Sequence, residues 1–97
     1  MALTKEQKLR LKKRVHHLKP VVLLGQNGLT EAVMNEIDIA LGAHELIKVR
    51  LGGEDKEARQ AMQEAICQGT GAEIIHAIGH VAAFFRRNPD HPKIDLH

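Results

Sequence analysis

Val21-Val22-Leu23-Leu24-Gly25-Gln26-Asn27-Gly28-Leu29-Thr30-Glu31 is a short apolar run that breaks into Gly-x-x-Gly and leads at once into an amphipathic segment. Four consecutive aliphatic residues suit a buried strand. Neither glycine carries a Cβ, so a phosphate or a sugar can approach the main chain closely. Thr30 is an N-cap candidate, and Glu31 sits favourably in the first turn of the helix that follows. Leu29, Val33, Ile37, Ala40 and Leu41 fall on one face of that helix, with Glu31, Asn35 and Asp38 on the other. Gly42 is placed to terminate it. A helix starting there turns unpaired N–H groups and the positive end of its dipole toward the loop. The result is an anion site that needs no charged side chain. Glycines at a strand-to-helix turn also serve as a plain connector. Two features favour a site: Gln26 and Asn27 can donate to phosphate or sugar oxygens, and no acid lies between the glycines.

On the C-terminal side, Leu46-Ile47-Lys48-Val49-Arg50-Leu51 alternates with period two. Ile47, Val49 and Leu51 point one way and Leu46, Lys48 and Arg50 the other. Strand, helix and strand at this spacing predict a right-handed parallel unit. Residues 25–28 then lie at the carboxyl end of the first strand, where open sheets bind ligands. The second strand-to-helix turn, Gly52-Gly53-Glu54-Asp55, carries two carboxylates that would repel phosphate, and reads as structural. A third helix is expected over residues 55–68, burying Ala58, Ala61, Met62, Ala65 and Ile66 and turning Cys67 away. Gly69-Thr70-Gly71 ends it. Residues 73–78 and 80–86 read as a hairpin around Gly79. Residues 88–97, with two prolines and little apolar content, form an extended or frayed tail.

On the N-terminal side, Thr4 and Gln7 offer a capping box. Leu11, Val15 and Leu18 share one helical face with the stem of Lys8, while Leu9 falls opposite without an explanation. Pro20 ends this helix. The expected order is α-β-α-β-α-β-β. The fold class is α/β (α+β), a mixed four-stranded sheet packed with helices, in one domain over residues 1–87 followed by the tail.

The chain has 97 residues, ordinary for one domain. Phe84 and Phe85 are the only aromatics, so base stacking on aromatic platforms is nearly excluded as the main recognition mode. The single cysteine, Cys67, cannot form an internal disulfide. No leader and no membrane-spanning run is visible, which makes a soluble cytoplasmic protein with no membrane partner the default.

The formal charge is +2, but the first twenty residues hold Lys5, Lys8, Arg10, Lys12, Lys13, Arg14 and Lys19 against Glu6 alone. Such asymmetry suggests a polyanionic partner. Like charges one turn apart destabilise a short helix, and a bound polyanion would relieve this. The apolar face is too narrow for strong insertion at a membrane surface. Lys48 and Arg50 either guard an edge strand or extend a basic track across an open sheet face. Arg86 and Arg87 present the same choice.

Seven histidines include no His-x-x-x-His pair and no cysteine at ligand spacing. His76 and His80 flank the hairpin turn. No metal site, cofactor or catalytic constellation is expected, and the loop lacks both the Lys-Ser/Thr ending of a P-loop and the third glycine of a dinucleotide fingerprint.

Leu18-Lys19-Pro20-Val21-Val22-Leu23-Leu24-Gly25-Gln26-Asn27-Gly28-Leu29-Thr30, then His44-Glu45-Leu46-Ile47-Lys48-Val49, Thr70-Gly71-Ala72-Glu73, Ile78-Gly79-His80 and Phe84-Phe85-Arg86-Arg87, resemble the CRM domain (chloroplast RNA splicing and ribosome maturation), and within it the single-domain bacterial YhbY type. The resemblance implies a fold similar to the C-terminal domain of translation initiation factor three. It also implies a Gly-x-x-Gly loop used somewhat as in KH domains, and association with large-subunit precursors. Many relatives carry Lys or Arg inside the loop, where this chain has Gln26. That moves phosphate contact toward main-chain N–H groups and nearby lysines. Phe84-Phe85-Arg86 stands where Leu-Tyr-Arg is usual, which removes a hydroxyl.

The expectation is a non-catalytic RNA-binding protein that binds ribosomal RNA in large-subunit precursors and assists assembly, with ribosomal proteins as further candidate partners. Gly25, Gln26, Asn27 and Gly28 meet the RNA backbone. Lys5, Lys8, Lys12, Lys13, Arg14, Lys19, Lys48, Arg50 and Arg86 attract its phosphates. The alternatives are an adaptor that contacts a ribosomal protein, its charge serving only for steering, and an enzyme acting on RNA.

Overall fold

The structure is a computed structural model that describes residues 3–25, 27–52 and 55–96. Gln26, Gly53 and Glu54, on which expectations above rest, lie outside the described residues. The elements are α1 (Lys5–Val15), β1 (Val22–Leu23), α2 (Glu31–His44), β2 (Leu46–Arg50), α3 (Lys56–Thr70), β3 (Glu73–Ile78) and β4 (Val81–Phe85). This is the expected order. The sheet runs β1-β2-β4-β3, with β1 parallel to β2 and the other pairs antiparallel.

Local chemistry sets the helix starts. Thr4 and Gln7 form the capping box. Thr30 and Asp55 cap α2 and α3, accepting from the N–H groups of Val33 and Ala58. Gly71, in the left-handed region at φ 77°, ends α3. Gly42 does not end α2, which runs two residues further and stops at Glu45, a non-glycine residue at φ 64°. A helix tolerates an interior glycine at a loss of roughly 1 kcal/mol relative to alanine. Here the burial of Glu45 decides the end.

The period-two pattern of β2 divides the core into two layers. Ile47, Val49 and Leu51 join Val22, Ala82 and Phe84 under α2 and α3, where Ile37, Leu41 and Ile66 are buried. Leu46, Ala83 and Phe85 face the other side, where Leu11 and Val15 of α1 close the layer. Leu9 points to solvent.

Three expectations are corrected. The α3 stripe is rotated: Met62 and Ile66 face the core, but Ala61 and Ala65 are exposed, while Cys67 is half-buried and Thr70 buried. Alanine gains little from burial, so the larger side chains set the rotation. The apolar run at β1 is not buried on both faces. Val22 faces the core, whereas Leu23 is 64% exposed, because β1 is an edge strand that α1 does not reach over. The last segment has no helix or strand, yet it is packed rather than frayed: Ile94 and Leu96 complete the α1 layer.

Glu45 holds that segment. It is 0% exposed, and its carboxylate accepts hydrogen bonds from the backbone N–H groups of Asn88 (2.6 Å), Lys93 (2.6 Å) and Ile94 (2.9 Å). Burial alone would push this carboxyl up. The three N–H donors and the Arg87 guanidinium at 3.5 Å outweigh it and hold the group below its ordinary value.

Candidate nucleic-acid interface

The 25–28 loop follows β1 at the end of the sheet where α2 and α3 begin. Gly28 sits at φ 70° and donates its N–H to the Gly25 carbonyl at 3.0 Å, closing a tight turn. Its own carbonyl accepts from Thr30 N–H at 3.1 Å. A Cβ built on Gly25 or Gly28 would meet nothing within 4 Å, so a ligand can approach both glycines. Only Gly28 needs glycine for its backbone angle; Gly25 provides space.

The expectation of bare amides is narrowed by this geometry. Gly28 N–H closes the turn and Val33 N–H is capped by the Thr30 hydroxyl, so neither is free for a ligand. The Asn27 side chain is exposed and, among the described residues, has no hydrogen-bond partner. Gln26 remains outside the described residues.

The cations gather around Lys48. Its Nζ donates to the Leu18 carbonyl at 2.9 Å, pinning the α1–β1 connection to the sheet. On one side, Lys48 and Arg50 share a cleft with His16 and Pro20 from the end of α1 and its connection, and with His76 and Ile78 from β3. On the other, Lys48 lines a second cleft with Arg14, His17, Lys19, His44 and Lys93, which contains no carboxylate. Lys12 belongs to the first group, since its charge acts on His76. Lys13 is exposed on the back of the helix. Lys5 and Lys8 lie toward the start of α1; Leu3, just before it, lines a cleft with Gly71, Glu73 and Phe85, at the end of the sheet away from the loop.

Arg86 stands apart from these cations. It lies at the far end of β4, where Nη1 is paired with the Asp38 carboxylate and donates to the Thr70 carbonyl at 2.9 Å. Nη2 donates to the Asp38 carbonyl at 3.0 Å. It ties the middle of α2 to the end of α3. Arg87 donates to the Ile94 carbonyl at 2.6 Å, in the tail.

Histidine pairing differs from the sequence expectation. His76 lies against His16, with ring centroids 6.0 Å apart, and His80 at the hairpin turn is exposed. Burial and then the charges of Lys12, His16 and Lys48 hold His76 below its ordinary value, so it is neutral at pH 7. A bulge in β3 between Ile74 and His76 explains its direction. The extra residue puts both Ile75 and His76 on the α1 side and carries Ile78 with them. No local sequence signal marks this bulge. Burial pushes the Cys67 thiol up, which makes it a poor nucleophile. No described helix is long and apolar enough to cross a membrane.

The chain and its fold are similar to those of other proteins. The model of the CRS1/YhbY (CRM) domain matches residues 3–86. An RNA-binding protein of Haemophilus influenzae is 47% identical over 94 residues, covering 97% of this chain and 94% of that one. The probable RNA-binding protein PA4753 of Pseudomonas aeruginosa is 44% identical over 89 residues, covering 92% of this chain and 86% of its own length. The solution structure of SAV1595 from Staphylococcus aureus, a protein proposed to bind RNA, superposes with a TM-score of 0.84 at 27% identity, covering 99% of this chain and all of that one. Motif order, fold and relatives agree, and the chain belongs to the CRS1/YhbY (CRM) domain family.

Proposed function

We propose that this protein is a non-catalytic RNA-binding protein of the cytoplasm that engages ribosomal RNA in large-subunit precursors and assists their assembly. The observation that carries the RNA reading is the juxtaposition at one end of the sheet. Gly25 and Gly28 border open space, and the sequence between them holds no acid. Arg50 opposes Leu23, two residues before that loop, and Lys48 lies on the same face one pair back. Phosphates held by Asn27, Lys12, Arg14, Lys19, Lys48 and Arg50 would be positioned with little reading of sequence. The relatives named for RNA binding support the same class. The ribosomal assignment rests on the motif resemblance that begins at Leu18.

The test is affinity for ribosomal RNA across a salt series. About five cation–phosphate contacts should lower affinity roughly five-hundredfold between about 50 and 200 mM salt. An affinity that ignores salt sinks the reading. Gly28→Asp places a carboxylate in the loop at a strained backbone angle, and should weaken binding at least tenfold while the fold survives. Unchanged binding would make the loop a connector. Crosslinking in cells should map to large-subunit RNA. A partner that survives nuclease treatment would favour a protein adaptor instead.

A further inference from the structure

The α1 face of the sheet is only half covered. Under α1 it is closed by Leu11, Val15 and the tail. Toward the 25–28 loop it is open, and there strand pairing aligns one residue from each of the four strands: Leu23, Arg50, Val81 and Ile78. Leu23 is 64% exposed and Ile78 65% exposed, Arg50 is exposed between them, and Val81 is half-buried. At a strand spacing of about 4.8 Å this row is about 14 Å long. The adjoining cleft, of about 400 Å³, is floored by Ala83 and walled by His16, Lys48 and His76. The Nε2 atom of His76 is buried and has no hydrogen-bond partner among the described residues.

We propose that this open row seats the bases of about two or three unpaired nucleotides, while the phosphates of the same strand lie on the 25–28 loop and the α1 cations. The proposal rests on the RNA-binding reading above and adds the form of RNA it selects. Exposed aliphatic side chains give nothing to a phosphate, but they cover the flat face of a base. Arg50 sits in the middle of the row, where a guanidinium plane stacks on bases. The half-buried His76 ring forms part of the cleft wall, against which a base edge can pack. Two phenylalanines do not contradict this, because both are buried in the core. A second copy of the chain is a poor occupant. Packing this face on itself would bring Lys48 and Arg50 against their like charges, and no carboxylate lines the cleft to balance them.

The experiment compares a labelled single-stranded 12-mer with the same sequence as a duplex, for wild type, the double variant Leu23→Ser/Ile78→Ser, and Ile78→Tyr. Both positions are exposed, so the fold should survive, and circular dichroism checks this. The double variant should lose about tenfold affinity for the single strand with an unchanged salt slope, since no charge is removed. Its duplex affinity should change less than twofold. Ile78→Tyr should bind the single strand about fivefold tighter or more, because an aromatic ring stacks better on a base. Loss of single-strand affinity below twofold in the double variant overturns the proposal but leaves the loop-and-cation reading standing. Equal losses on both RNA forms also overturn it, as does a wild-type dimer that the double variant dissolves. Wild type that binds neither RNA form overturns both readings.

Discussion

The two ends of the sheet use charge in opposite ways. At the loop end, Arg50 is exposed beside Leu23 and Ile78, and Lys48, Lys12 and His16 converge without a carboxylate among them. At the tail end, Glu45, Arg86 and Arg87 are spent on the protein itself. Glu45 holds three backbone N–H groups and faces Arg87, and Arg86 is paired with Asp38 and two carbonyls. An ion pair inside the protein is already compensated and has little left for a phosphate. Like charges held together repel one another until an outside anion arrives. The contrast separates fold-keeping residues from those proposed to bind RNA, although both sets contain arginines at strand ends.

That contrast can be broken most directly at Glu45. Glu45→Gln turns an amide N–H₂ toward buried backbone donors, and should lower stability by about 3 kcal/mol in urea unfolding. A loss under about 1 kcal/mol would mean that the tail is held by Ile94 and Leu96 alone. The arginines come next. Arg86→Ala should lower stability by about 1 kcal/mol and leave RNA affinity within twofold. Arg50→Ala should do the reverse, with stability within about 0.5 kcal/mol and an RNA salt slope reduced by roughly one. If Arg86→Ala weakens RNA binding in a protein that remains folded, the division between the two ends fails.

Acid sharpens the same comparison by a smaller amount. Glu45 is held below its ordinary value of 4.5 in the folded chain. Its contribution is therefore complete above that value and is lost as pH falls through the lower folded one. The stability gap between wild type and Glu45→Gln should shrink below about pH 4.5. His76 acts earlier, with the opposite chemistry. Its folded value is depressed from 6.5, so the unfolded chain takes up the proton first. Stability should fall as pH drops below about 6.5, and His76→Gln should flatten that part of the curve. The smallest effect belongs to Lys13→Ala on the solvent side of α1, with stability within about 0.5 kcal/mol and one unit or less of salt slope.

Much of the candidate site was legible before any fold was known. The Gly-x-x-Gly turn, the basic first helix and the Lys48–Arg50 pair are local patterns; the end of that helix shares a cleft with Lys48 and Arg50, while Lys5 and Lys8 lie toward its start. Sequence alone groups Arg86 with them as a basic residue ending the last strand, but a guanidinium at a strand end does not announce its carboxylate. Asp38 is 48 residues away in the chain. The partners of Glu45 are 43 to 49 residues away. His76 and Ile78 reach the α1 side only through a bulge whose position depends on how β3 pairs with β4.

The sequence by itself determined the order of elements, the N-caps and the layer to which each β2 residue belongs. Those features depend on hydrogen bonds and side-chain periods spanning four residues or fewer, and the chain carries that information wherever it runs. Tertiary structure alone decided the rotation of α3, the docking of the tail on Glu45, the capture of Arg86 by Asp38, and the half of the sheet left open beside the loop. Each depends on which distant surfaces meet, and so on the burial and charge compensation that only the folded chain provides.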